Sequence, residues 1–471
     1  MDNLEESVRQ IVEQVVKSLD LGDPKPATSM EIGVFSNINA AIEAAGLAYK
    51  EYGNISLEIR AKIIANIRKL CIANLEAMSK MAQEETGLGR WEDKVIKNEL
   101  GILKTPGIED VKPEAFSDDY GLTLVEHAPY GIIGSITPST NPTVTIISNT
   151  IGMISAGNAV VFNPHPSAKK VSAFVVSLLN KAIVEAGGPA NLVCCIAEPT
   201  LESARDLMSH PKIAILVVTG GPAVVKVAMN SGKKVIAAGP GNPPCVVDET
   251  ADLAKAGKDI VDGASFDNNV ICICEKEIIV VASVADRLKE EMKKNGAYEL
   301  NEEQIKKITE LIIVEPGGPG SEGVVEKKFV GKNAGLLAKR IGLTVPPGTR
   351  LLLAEVGREH PLLWTEQLMP VMPLVRVKDV DIAIDLAVEV EHGFRHTAIM
   401  HSLNIAKLSK MAKAMNCSIF IKNGPSYAGL GKGGAGFASF TIASPTGEGV
   451  TRARTFTRER RCTLVDYFRI I

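Results

Sequence analysis

Short β-branched runs alternating with helical stretches fill the middle of this 471-residue chain, and no other feature narrows its possible folds as far. Residues 159–162 (Ala-Val-Val-Phe), 192–196 and 213–218 are apolar enough to be buried on both faces. Residues 167–187 and 201–209 between them repeat apolar side chains at helical spacing. Strands of this kind, joined through helices, close as right-handed crossovers and give a parallel sheet covered on both sides. Residues 123–128 and 131–136 read as two further strands, and 32–104 reads as helical, with one long helix over 57–86. The alternation resumes after Lys234, which predicts a second α/β unit, and the length itself suggests two or three domains.

Charge and composition exclude more than they select. A formal net charge of −3 supplies no general attraction to nucleic acid or to an anionic membrane. The apolar runs, such as 132–136 and 278–281, fall far short of the roughly 20 residues that cross a bilayer. Arg452, Arg454, Arg458, Arg460 and Arg461 form a basic run, but Glu459 interrupts it and no aromatic cluster stands ready to stack on bases, so ion pairs between subunits are expected there. No signal-like stretch opens the chain, so its eight cysteines are expected to be reduced thiols. Their spacing, with Cys194 beside Cys195 and a single residue between Cys272 and Cys274, matches no metal-ligand pattern.

The two ends stand apart from the α/β pattern. Leu4, Val8, Ile11, Val12, Val15, Val16 and Leu19 fall on one face of a helix, and residues 20–29, with two prolines, cannot continue it. A helix tethered this way has its apolar stripe free for a partner groove, or else lies back on its own domain. Residues 462–471 alternate in a two-residue period with apolar side chains in both sets, which predicts a terminal strand shared with another subunit.

Four segments carry candidate chemistry. Cys272 follows the polar turn Asp267-Asn-Asn269 and precedes the apolar run 277–281, so its thiol stands at a strand edge where it can face a cleft; a buried structural cysteine is the plain alternative. A cysteine nucleophile needs nearby N–H dipoles or a cation to become a thiolate. Gly220-Gly221-Pro222 opens a helix after a strand, an arrangement suited to a pyrophosphate, though it is not GxGxxG. Thr137-Pro138-Ser139-Thr140-Asn141-Pro142 presents a carboxamide on a constrained turn, and such an amide can stabilise an oxyanion. The loop around Gly239 is stiff enough to pass close to a ligand or merely to connect domains. His165, His396 and His401 read as ordinary polar residues with no catalytic duty.

TPSTNP, GNAVVFNPHPSAKK, VVTGGPAVV, AAGPGNPPCVVDETADL, ASFDNNVICICEK and SPTGEGVTRARTF stand in one order along essentially the whole chain. That order resembles the coenzyme A-acylating aldehyde dehydrogenases of bacterial microcompartments, of the ethanolamine- and propanediol-utilisation type. The resemblance implies an aldehyde dehydrogenase-like α/β fold with two Rossmann-like domains and a small β oligomerisation element. It implies Cys272 as nucleophile and the amide of Asn141 as oxyanion donor. Counting from Pro138 sets Thr140 opposite the asparagine of P-W-N-F-P in the wider superfamily, but only Asn141 carries a carboxamide. Thr137, Pro138, Ser139, Thr140, Pro164, His165, Gly220, Gly221, Gly239 and Glu366 would hold the cofactor, with Glu366 on the nicotinamide ribose hydroxyls. The substrates would be acetaldehyde or propionaldehyde, NAD and coenzyme A.

Hydrolytic relatives carry a water-activating glutamate in E-L-G-G-K, where this chain has Ala237. Water is left unactivated, and a thioester exchanges readily with a thiol, so acyl transfer is expected ahead of hydrolysis. A hydrolytic dehydrogenase and a non-catalytic shell scaffold remain the alternatives. The expected organisation is an encapsulation helix at 1–19 that binds a microcompartment shell protein and a linker at 20–30. A cofactor-binding domain over 31–118 and 134–236 follows, with a catalytic domain over 237–439 and an oligomerisation element over 119–133 and 440–471. A homodimer or homotetramer in the compartment lumen is expected, with no nucleic acid, membrane or metal partner.

Overall fold

A computed structural model describes residues 32–471; the helix and linker expected over 1–30 lie outside them. Two parallel sheets form the body. The first has six strands in the order Val34–Phe35, Val193–Ile196, Ala159–Pro164, Ile132–Thr137, Ile213–Thr219 and Lys234–Ala238. The chain runs outward from Ile132–Thr137 through the next two strands, then returns to place Ile213–Thr219 on its other side. That reversal opens a crevice at the carboxyl ends of the two central strands, the position where doubly wound sheets bind ligands. The expected parallel α/β architecture is therefore present.

The second sheet has seven parallel strands in the order Ala297–Glu299, Leu351–Glu355, Val371–Val377, Glu277–Val281, Pro244–Val247, Thr397–His401 and Ile419–Lys422. Its register decides which loops meet. Glu277 lies opposite Pro244, Ile278 opposite Leu374, and Ile399 opposite Cys245, so four strands begin side by side. The segments entering them, 239–243, 266–276, 364–370 and 391–396, must gather at that one edge. Asn242 is fully buried among them and donates its amide to the carbonyls of Leu363 at 3.3 Å and Val390 at 2.9 Å.

Four details differ from the sequence expectations. The helix expected over 57–86 is two helices, Leu57–Ala73 and Leu75–Thr86, because Asn74 leaves helical geometry (φ −110°, ψ 12°). Its side chain donates to the Leu70 carbonyl at 2.9 Å, an alternative to continuing the helix. Within the segment read as helical, Val34–Phe35 pairs as an edge strand with Cys195 and Ile196.

The terminal strand begins earlier and ends sooner than expected, at Thr457–Val465, and pairs antiparallel with Gly121–Pro129 of the same chain. Positive φ at Asp466 (70°) and Phe468 (78°) turns the chain off the ladder. Together with Glu114–Asp118 these strands form a three-stranded antiparallel sheet whose terminal strand is exposed along nearly its whole length. Arg452 and Arg454, expected to pair between subunits, bind Asp110 at 3.2 Å and Glu114 at 3.0 Å within the chain.

Asn242→Ala leaves two buried carbonyls without a donor. It should lower stability by about 1–3 kcal/mol, read as a fall in the urea unfolding midpoint. An unchanged midpoint would show that the four segments are held by packing alone.

Candidate active site

Cys272 stands on a turn that few sequences can form. Asp267, Asn268 and Asn269 all have left-handed backbone, with φ of 50°, 54° and 67°. Asp and Asn tolerate this region better than other residues with a Cβ. Side chains then lock the turn from inside. The buried Lys276 ammonium donates to the Asn269 carbonyl at 2.9 Å, to the Asn269 side-chain oxygen, and to the Ile271 carbonyl at 3.3 Å. The Asn269 amide donates to the carbonyls of Ala264 and Glu275, each at 2.8 Å. Cys272 is left half-buried at the rim while Cys274 is fully enclosed.

Gly241 is where the neighbouring segments cross. A Cβ there would lie 2.9 Å from the Cys272 carbonyl oxygen and 3.0 Å from Cγ of His396. Its backbone N–H donates to the Glu366 carboxylate. Glu366, Cys272 and His396 thus converge on one glycine. His396 is fully buried, with Nδ1 2.8 Å from the Thr397 hydroxyl and Nε2 without a partner. Burial holds its imidazole down to about 4, so it is neutral.

Burial, with the Glu366 charge adding to it, pushes the Cys272 thiol up to about 12, while Lys276, the residue's own backbone N–H and Lys97 pull the other way. Desolvation wins. The Glu366 carboxyl is itself pushed up by burial, to about 7, with Lys276 opposing. The resting site therefore holds a protonated thiol beside an acid that titrates near neutrality.

Asn141 is 8% exposed and precedes the buried helix Pro142–Ser155. Its Oδ1 accepts from the Lys97 ammonium at 2.7 Å, and its Nδ2 donates to the Thr140 hydroxyl at 3.2 Å. Lys97 belongs to helix Trp91–Lys104, and it meets Lys94 of the same helix on the Asp267 carboxylate. Sequence reading missed Lys94, Lys97, Asp267 and Lys276. One signal was present: the polar triplet Asp267-Asn268-Asn269 before Cys272 is unusually suited to left-handed backbone.

The residues expected to hold the cofactor fall in two groups. Thr137, Pro138, Ser139 and Thr140 leave the central strand at the crevice, and Gly220 and Gly221 leave its neighbour. The Thr137 hydroxyl is buried without a hydrogen-bond partner. No side chain caps helix Pro222–Met229, and space is open around Gly221. An orphaned hydroxyl and free N–H groups at a helix start fit a dinucleotide phosphate. Pro164 ends the adjacent strand, and His165 spends its ring nitrogen capping the turn Pro166–Ala168. Gly239 and Glu366 stand instead with the loops around Cys272, where Gly239 packs against Pro445.

Comparison with known proteins agrees with this geometry. The family model described as the aldehyde dehydrogenase family matches residues 13–311. Acetaldehyde dehydrogenase (acetylating) of Escherichia coli K12 is 49% identical, the match covering 99% of this chain and 100% of the relative. A Rhodopseudomonas palustris propionaldehyde dehydrogenase, solved with bound coenzyme A and an acylated cysteine, superposes with a TM-score of 0.89 at 52% identity, over 92% of this chain and 98% of that one. A propionaldehyde dehydrogenase from the fucose-utilisation microcompartment of Clostridium phytofermentans gives 0.90 at 48% identity, over 94% and 100%. The likeness extends over nearly the whole chain in sequence and in fold, and the chain belongs to the aldehyde dehydrogenase family.

Proposed function

We propose that the protein oxidises a short-chain aldehyde with NAD and coenzyme A to an acyl-coenzyme A and NADH, through a thioester on Cys272. The observation that carries this reading is the Cys272 turn: a single half-buried thiol held at the meeting of four loops, on the residue the family motif marks. The acylated cysteine and bound coenzyme A of the Rhodopseudomonas relative support the same chemistry. Full-length identity to an acetylating acetaldehyde dehydrogenase supports the substrate class.

In this reading the Cys272 sulfur, once deprotonated, attacks the aldehyde carbon, and the carbonyl oxygen takes up negative charge. The Cys272 N–H and the Asn141 Nδ2 stabilise that oxyanion, with the second N–H of the amide directed to it. A bound nicotinamide would supply the acceptor for the hydride on the thiohemiacetal carbon. Glu366 would orient that group by accepting hydrogen bonds from its ribose, while Thr137 to Thr140, Pro164, His165, Gly220, Gly221 and Gly239 would hold the remainder. A coenzyme A thiolate then attacks the thioester, the same donors hold the second oxyanion, and Cys272 leaves as thiolate. One proton, from the coenzyme A thiol, is released to solvent.

Ala237 supports thiol over water as the acyl acceptor. It is buried in strand Lys234–Ala238, and its N–H donates to the Thr446 hydroxyl at 3.0 Å; on the motif resemblance, its methyl group takes the place of the glutamate of hydrolytic relatives. We further read 31–118 and 134–236 as the cofactor-binding domain, 237–439 as the catalytic domain, and 119–133 with 440–471 as the element that joins subunits into a dimer or tetramer. The exposed strand Thr457–Val465 supports the last assignment. Residues 1–19 serve to bind a shell protein and keep the enzyme in the compartment lumen, in line with the microcompartment source of the Clostridium relative.

Three outcomes are expected. Without coenzyme A the enzyme should release about one NADH per site and stop with an acyl mass on Cys272, and Cys272→Ala should lower turnover by a factor on the order of 10⁴ or more. Sustained turnover without coenzyme A would establish hydrolysis instead. Glu366→Gln removes a charge that raises the thiol, so above about pH 7, where Glu366 is ionised, alkylation of Cys272 by iodoacetamide should be faster than in the wild type. Below that pH the two rates should converge, as followed on the Cys272 peptide by mass spectrometry. Slower alkylation of the variant would contradict the electrostatic assignment. Deleting residues 1–19 should leave soluble activity intact and abolish co-purification with shell protein; loss of catalysis would place the segment in the fold.

A further inference from the structure

We infer that Lys97 is a positioning residue: its ammonium fixes which end of the Asn141 carboxamide faces the reacting carbonyl, and ties that amide to the turn carrying Cys272. This rests on the reading of Asn141 as oxyanion donor. Three contacts carry it. Lys97 Nζ lies 2.7 Å from Asn141 Oδ1, 3.4 Å from the Thr140 carbonyl, and within hydrogen-bond distance of Asp267 Oδ2. An ammonium can only donate, so the amide oxygen must be the atom facing it. The amide nitrogen is thereby turned away, with one N–H on the Thr140 hydroxyl and the other free. Rotating the amide by half a turn would set two N–H donors against an ammonium, an arrangement with no acceptor on either side.

The anchor of Lys97 is unusually firm. Asp267 is fully buried, accepts from the Arg90 N–H at 2.7 Å and from Lys94 at 3.0 Å, and its own N–H is bound by Asp93 at 3.0 Å. Arg350 donates to the same Asp93 oxygen at 3.2 Å. Gly89 permits the approach, since a Cβ there would lie 1.9 Å from Asp267 Oδ1. Burial alone would raise the Asp267 carboxyl, but Lys94 and Lys97 together hold it below its ordinary range. Lys94 and Lys97 are three apart on one helix and share one carboxylate, yet only Lys97 reaches Asn141. Nature has supplied an internal control.

Lys97→Met and Lys94→Met should be compared by thermal denaturation and by single-turnover NADH formation without coenzyme A. Both should lose stability, since each leaves Asp267 with one cation fewer. Only Lys97→Met should slow acylation by a factor on the order of 10², the cost of misplacing an oxyanion donor, with the aldehyde KM changing far less. Lys97→Gln, measured in parallel, keeps a polar head in the buried site and is held to the same criterion should the methionine variant not fold. In an Asn141→Ala background, replacing Lys97 should add little further loss. Equal slowing by the Lys94 and Lys97 variants, or full additivity with Asn141→Ala, would overturn the inference while leaving Asn141 as donor. Undiminished acylation in Asn141→Ala alone would instead overturn the donor reading itself.

Discussion

The left-handed turn at Asp267, Asn268 and Asn269 is the constraint from which the rest of the site follows. Left-handed backbone costs roughly 1–2 kcal/mol per residue bearing a Cβ, somewhat less for Asp and Asn, so three in a row cannot persist without specific support. The support is ionic on one side and amide on the other: Lys94 and Lys97 on Asp267, Lys276 on Asn269 and Ile271. Hydrogen bonds to charged groups contribute about 1.5–3 kcal/mol each, enough to offset the strain. The side chains of Asp267 and Asn269 are thus committed to partners, and the sulfur of Cys272 is left at the opening of the site.

That opening is chemically quiet at rest. Desolvation and Glu366 outweigh Lys276, Lys97 and the local N–H, so the thiol is held protonated. The same balance explains how reactivity is gained. A thiolate of high basicity is the stronger nucleophile once formed, and nucleophilicity falls as thiol pKa falls. The site keeps an intrinsically powerful nucleophile masked, and it unmasks in proportion to any cation, donor or change in Glu366 that favours charge on sulfur. Glu366, titrating near neutrality beside the Gly241 N–H, is the group most able to shift that balance.

Much of the frame was readable from periodicity, because buried parallel strands such as 159–162 and 213–218 leave an unmistakable apolar signature. The place of Cys272 between a polar turn and an apolar strand was readable, while its reading as the nucleophile rested on the aldehyde dehydrogenase motifs in order along the chain. The ion network was not readable. Lys94 and Lys97 look like the solvated face of an amphipathic helix, and their partner Asp267 is 173 and 170 residues away. Local rules also point to the wrong edge: ligands in open α/β sheets gather at strand carboxyl ends, as at Thr137, whereas Cys272, Gly241, Glu366 and His396 meet where strands of the second sheet begin. The break at Asn74 was hidden for a similar reason, since apolar spacing carries across it unchanged.

The electrostatics of the sulfur also bear on why a thiol, and not solvent, should collect the acyl group. A site that disfavours a charged Cys272 favours every neutral state of that sulfur, and the thioester is neutral. Acylation therefore relieves the unfavourable balance of burial and Glu366, and the acyl-enzyme is stabilised relative to the free thiolate. Hydrolysis would need a base to generate hydroxide against that stability, and on the motif resemblance the position of the hydrolytic glutamate falls on Ala237, a buried residue of strand Lys234–Ala238. A thiol needs far less help than water: it loses its proton to solvent near neutrality in a small fraction of molecules, and that thiolate attacks under the same oxyanion donors and exchanges one thioester for another of similar energy. What returns Cys272 to its costly charged form is then the transfer of the carbon skeleton to a second sulfur, so acceptor choice is set by the environment of residue 272 as much as by any pocket for coenzyme A.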